Sequence, residues 1–129
     1  FPYTTLFRSD RITIFEDHLV RDINAGRFAQ GNTNLVLVTH GLALRIILMR
    51  WFHWTVDQFL KVYNPGHCQP IILERIVPQP TGVASWIHTK MLYRVSNDSA
   101  EFLDGATPEM LAPQYTPPVN SLAQHSYKR

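Results

Sequence analysis

A single cysteine, Cys68, in 129 residues excludes an intrachain disulfide framework and fits a reducing compartment. Charge is also sparse: the net charge is +2, and the 12 Lys and Arg are scattered. No basic patch of the kind that grips nucleic acid or an anionic membrane is formed. The N-terminus has no basic region followed by an apolar one, so no secretory signal is visible, and the cytoplasm is the expected location. Residues 34–52 come nearest to a membrane span but carry His40, Arg45 and Arg50. Each arginine at mid-membrane would cost about 2.5–3.5 kcal/mol on insertion scales, so no membrane partner is expected.

Enough apolar sequence remains for a small core: 45% of residues are hydrophobic and 17% are charged. The first nine residues, "FPYTTLFRS", connect poorly with the chain from Asp10 onward. They resemble translated sequencing-adapter sequence and are set aside as residues 1–9, a non-native scar; the alternative is a short native strand ahead of a helix. From Asp10, Ile12, Phe15, Leu19 and Ile23 recur every three or four residues and predict a helix with one apolar face. Ser9 or Asp10 suits its start and Gly26 its left-handed end.

Residues 34–39 form a continuous apolar run of strand length, as expected of a strand buried on both faces of a parallel sheet. Residues 42–53 predict a largely buried helix, interrupted by Arg45 and Arg50. "WTVDQFLKVYN" predicts a second helix, with Thr55 and Gln58 spaced as a capping box. "NPGHCQP" turns the chain into a strand, "IILERI". Strand, helix, helix and strand with a crossover of about thirty residues make a βαβ-type unit, so the fold class is α/β. "VASWIHTKMLYRV" reads as one more strand or a short helix. From residue 96 onward Pro, Ser, Asn and Gln dominate, and 96–129 is expected to be disordered. A parallel strand buried on both faces needs neighbours on both sides. Too few strand candidates exist to supply them, which points to a missing N-terminal part.

His40 stands out in that frame. A residue at the carboxyl end of a parallel strand, just before a helix, lies where open α/β sheets bind ligands. Gly41 lets the backbone approach a ligand closely, and the helix's first amides suit a phosphate. The competing reading is a core histidine bonded to a backbone carbonyl; position alone leaves both open.

"VTHGLALR", with Arg45 five residues after His40, resembles the second-histidine motif of the histidine phosphatase superfamily, the phosphoglycerate-mutase-like proteins. The resemblance continues through "LRIILMRWFHWTVDQF" and "NPGHC", and reaches back to "DRITIFEDHLVRDINAGRF". It implies a partial three-layer sandwich with a mostly parallel sheet, its N-terminal part missing, with residues 10–95 as the C-terminal part of the domain. In that family a histidine in an Arg-His-Gly motif attacks phosphorus and becomes a phosphohistidine. A second histidine donates to the transferring phosphoryl oxygens. The resemblance assigns the second role to His40, as catalytic and phosphate-binding residue, with the Gly41 amide assisting. Arg45 matches a recurrent family position and is expected to be structural, tying the helix to an acidic group.

No Arg-His-Gly occurs in the sequence; His40-Gly41 is the sole His-Gly pair. The family's pocket arginine and acidic proton donor lie upstream of the matching segment, and Glu16, Asp17 and Glu74 do not fall at those positions. The implied function is therefore that of a fragment of a phosphoglycerate mutase-like hydrolase, inactive alone, acting as a whole protein on a small phosphorylated substrate. The alternative is a non-catalytic phosphate-pocket remnant serving as a binding or interaction module. No cofactor is implied, and a homo-oligomer is allowed.

Three weaker signals remain. His67 and Cys68, with His53 and His88 elsewhere, lack the tight repeated spacing of a zinc site, so no metal is expected. As strand neighbours, His67 and Cys68 would point to opposite faces, which disfavours a Cys–His nucleophile; either could still line the pocket. The aromatic run "MRWFHWTV" is better explained by core packing than by a partner surface.

Overall fold

The computed structural model describes residues 3–28, 33–76 and 89–113; the side chains of residues 3–8 lie outside this description. Four helices are present among these residues: α1 (Tyr3–Asn24), α2 (Gly41–Phe52), α3 (Val56–Lys61) and the short α4 (Asn97–Ala100). Strands β1 (Leu73–Arg75) and β2 (Tyr93–Val95) form a two-stranded sheet, and 3₁₀ turns occupy Thr89–Leu92 and Pro108–Leu111.

Helix α1 begins at Tyr3, well ahead of the Ser9–Asp10 start expected from capping. Nothing between Tyr3 and Asn24 is Gly or Pro, so helix propagation meets no breaker. The Ser9 carbonyl is interior to the helix and accepts a 2.8 Å bond from Thr13 Oγ1. At the other end the expected stop is present: Gly26 has φ 75°, and its N–H returns to the Ile23 carbonyl at 3.0 Å. The inner face differs from the expected one. Ile12, Leu19 and Ile23 pack against the core with buried Val20, but Phe15 is 41% exposed and Glu16 takes an inward position.

Helix α2 lies against α1 and supplies Ile46, Leu48, Trp51 and Phe52 to the core. The aromatic run is core, as expected: Trp51, Phe52 and Trp54 are each 5% exposed. His53 ends α2 in the left-handed region, φ 57°, and lets the Trp54 N–H reach back to the Met49 carbonyl. The Thr55–Gln58 capping box forms in both directions and starts α3.

The parallel sheet is not present among the described residues. β1 and β2 pair antiparallel, Leu73 with Val95 and Arg75 with Tyr93, so "IILERI" does not close a βαβ crossover onto residues 34–39. Residues 33–40 belong to no helix or strand and are exposed throughout, Val36 by 78% and Val38 by 95%. A strand exists only through its ladder, and here β1 and β2 take each other as partners. The structure is thus an α/β arrangement of helices with one small antiparallel sheet. Of "VASWIHTKMLYRV", residues 83–88 lie outside the described residues; the rest is a 3₁₀ turn followed by β2.

The disorder expected from residue 96 is corrected for 96–113. Leu103, Met110 and Leu111 are buried in the common core. Ser99, 1% exposed, accepts from the Ile72 N–H at 2.9 Å and donates to the Pro70 carbonyl, joining α4 to the approach of β1. Trp54 Nε1 donates to the Met110 carbonyl at 2.6 Å. Composition counts polar residues but not the few apolar ones that long-range packing selects. Residues 114–129 lie outside the described residues.

Candidate functional site

His40 is the N-cap of α2, with extended backbone (φ −126°, ψ 169°) and a carbonyl that accepts the first helical bond from the Leu44 N–H at 2.9 Å. Its imidazole is exposed and makes no capping bond. That removes the core-histidine reading: the side chain stands in solvent beside the opening turn. No acidic residue occupies that first turn. The leading amides of α2 therefore meet no side-chain acceptor from the cap and present partial positive charge outward.

Gly41 has a more specific reason to be glycine than a ligand's approach. A Cβ at position 41 would stand 2.5 Å from Cγ and 2.8 Å from Nδ2 of Asn64, so the Asn64 carboxamide rests directly on the Gly41 backbone. Arg45 holds it there. Its Nε donates to Asn64 Oδ1 and its Nη1 to the Val62 carbonyl at 2.8 Å, while its guanidinium lies 4.7 Å from the centroid of the Phe59 ring. Arg45 is structural, as expected, but its partners are an amide, a carbonyl and a ring instead of an acid. Burial lowers its pKa from the ordinary guanidinium value. Asn64 is the residue whose place beside the site the sequence does not announce. "NPG" reads as turn chemistry, and only the fold brings it beside a glycine so far upstream.

His67 and Cys68 sit in a turn and not on a strand, and both are exposed; Cys68 has φ 61°. The strand-alternation argument about this pair therefore does not apply. The Gly66 N–H is held by Gln69 Oε1 at 2.6 Å, which closes that turn. Among the described residues, no three His, Cys, Asp or Glu side chains converge as metal ligands would, and His88 lies outside them. No described helix is long and apolar enough to cross a membrane.

The acidic residues left unassigned are accounted for structurally. Glu74 pairs with its cross-strand neighbour Arg94 at 3.0 Å. Asp17 is exposed, and Glu16 is 1% exposed at the opposite end of α2. There Glu16 Oε2 accepts from Lys90 at 2.9 Å, and Lys90 also reaches the Arg50 carbonyl at 3.4 Å. Burial raises the Glu16 pKa above 4.5 and outweighs the lowering effect of Lys90. An open cavity of about 400 Å³ adjoins this pair, lined by Thr13, Asp17, Met49, His53 and Trp54 among others.

No protein-family model and no solved structure matches the chain. Three curated proteins do, each across 50% of it. It is 40% identical over 68 residues to the phosphoglycerate mutase-like protein AT74 of Arabidopsis thaliana and 37% identical over 68 residues to AT74H of the same plant. It is 32% identical over 65 residues to the broad-range acid phosphatase DET1 of Saccharomyces cerevisiae. The matched region spans 22%, 24% and 20% of those relatives, respectively. Over the half that they cover, these similarities to phosphoglycerate mutase-like proteins and an acid phosphatase support membership of the histidine phosphatase superfamily.

Proposed function

We propose that the chain is the C-terminal part of a phosphoglycerate mutase-like phosphatase whose whole protein acts on a phosphomonoester through a phosphohistidine. In this reading His40 is the second histidine of the phosphate pocket. The supporting observation is its setting: an exposed imidazole at the N-cap of α2, beside leading amides that no side chain caps and with no acidic residue in the first turn. Such a group stabilises the transferring phosphoryl by donating to oxygens on which negative charge accumulates, and the Gly41 N–H adds a second fixed donor. The attacking histidine belongs to a segment this sequence does not contain, so His40 binds and polarises but does not form the covalent bond.

The same reading extends to the fold. Residues 34–39 are the strand leading into His40 and would lie within a mostly parallel sheet whose remaining strands come from the rest of a longer protein. Their exposed apolar side chains are what such a strand presents before its neighbours arrive. The proposed location is the cytoplasm.

His40→Ala in the full-length protein is expected to lower turnover of a phosphomonoester by about 10²-fold or more, the scale for losing one transition-state donor. Near wild-type turnover would remove His40 from the pocket. The absence of Arg-His-Gly from the sequence supports a second reading, a binding module that keeps the pocket without catalysis. Sequencing the native transcript upstream of Asp10 separates the two. A frame that continues into Arg-His-Gly supports the enzyme, and one that truly begins with "FPYTTLFRS" supports the module.

A further inference from the structure

We infer that Arg45 is a positioning residue for His40, acting through Asn64 and Gly41; this rests on the phosphate-pocket reading above. The His40 imidazole is exposed and makes no capping bond, so its side chain does not anchor it to the start of α2. Where the ring stands is set by the backbone at His40 and Gly41, and that backbone is buttressed. The Asn64 carboxamide packs on Gly41 so closely that a Cβ there would lie 2.5 Å from Asn64 Cγ. Arg45, four residues along α2 and on the same face as Gly41, keeps the carboxamide in place. It donates from Nε to Asn64 Oδ1 and from Nη1 to the Val62 carbonyl at 2.8 Å, and its guanidinium lies over the ring of buried Phe59.

The buttress has its own footing. Val62 is buried in the core, and the Tyr63 N–H donates to the Asp104 carbonyl at 2.9 Å. Residues 62–64 are thus tied to the core on one side and, through Arg45, to the first turns of α2 on the other. A transition-state donor has to be in place before charge develops on its partner, and misplacing a reacting group by about 1 Å can cost about 10²-fold in rate. Lysine would not reproduce this grip, because it lacks the planar fork that serves two acceptors while stacking on a ring.

The test is hydrolysis of p-nitrophenyl phosphate by the full-length protein, with kcat and KM measured for Arg45→Lys and Asn64→Ala. Each is made in the wild-type and the His40→Ala backgrounds. Arg45→Lys keeps the positive charge, and Asn64→Ala truncates an exposed side chain, so a folding defect in one variant leaves the other informative. Each change should lower kcat about 10-fold in the wild-type background with KM nearly unchanged. In the His40→Ala background the same changes should alter kcat less than about 2-fold, because a residue that acts through His40 has nothing left to position. Equal losses in both backgrounds would reduce Arg45 to a structural residue and overturn the inference, as would unchanged kcat in both single variants. If His40→Ala alone kept wild-type turnover, the pocket reading itself would fall and this inference with it.

Discussion

The two ends of α2 are built from the same apolar helix and meet opposite surroundings. At the C-terminal end, Trp51, Phe52 and Trp54 are buried against neighbouring elements, and the Trp51 ring meets Tyr93 edge-on, with centroids 5.8 Å apart. The charged residue there, Glu16, is enclosed and paired with Lys90. At the N-terminal end the chain arrives through 33–40 with every residue exposed, and His40 faces water. Buried packing is concentrated at one end, and the proposed phosphate site lies at the other. A group proposed to meet an incoming anion has to stay accessible, whereas a buried carboxylate is tolerable only with its counter-ion beside it.

The largest test of this contrast is Lys90→Met. It leaves Glu16 enclosed without its hydrogen-bonded cation and should cost about 3–5 kcal/mol near neutral pH by urea denaturation. The loss should shrink on acidification, because a neutral carboxyl needs no counter-ion. In the wild type, burial holds the Glu16 pKa above 4.5, so the folded state takes up this proton more readily than the unfolded chain. Its stabilising contribution is therefore full below 4.5 and is lost as pH rises through the raised value. Glu16→Gln should flatten that slope; an unchanged pH profile would show that Glu16 does not carry it.

Ile46→Ala comes next, since Ile46 is fully buried. A loss of about 2–5 kcal/mol is expected from calorimetric or chemical unfolding. A loss below about 1 kcal/mol would mean that the core around α2 collapses readily into the cavity. Gly41→Ala should cost less, about 1–3 kcal/mol, because its methyl must displace the Asn64 carboxamide and loosen its bond to Arg45. The smallest effect is expected for Val38→Ala, within about 0.5 kcal/mol in this chain because the side chain is 95% exposed. In the full-length protein the same change should cost on the order of 2 kcal/mol if residues 34–39 are a buried strand there. Equal and negligible costs in both would sink the parallel-strand proposal.

Much of the helical framework was legible because its signals are local. The Thr55–Gln58 box lies within one turn, Gly26 marks a helix end by its own backbone, and the apolar load of 42–53 announces burial without naming a partner. The places where this structure departs from those expectations share a different cause. Residues 34–39 have the composition of a strand, but pairing depends on what lies alongside, and β1 chose β2. Phe15 looked inward by periodicity, yet it is exposed while Glu16 is buried, because Lys90 waits across the gap. Ser99 and Leu103 looked like parts of a polar tail, and they are buried because distant groups, such as the Ile72 N–H, meet them. At the start of α2, His40 and Gly41 were visible as a motif; the packing of Asn64 on Gly41 was not.

What the sequence by itself determined is the set of local commitments: where helices stop, which capping box forms, and that a histidine precedes a glycine at a helix start. These depend on interactions across a few residues, whose geometry the backbone fixes. Only the tertiary structure decided that His40 faces solvent, that Arg45 grips Asn64 over Gly41, and that Glu16 is enclosed with Lys90. Those contacts join residues 19 and 74 positions apart, and no local rule specifies which distant groups the packing brings together.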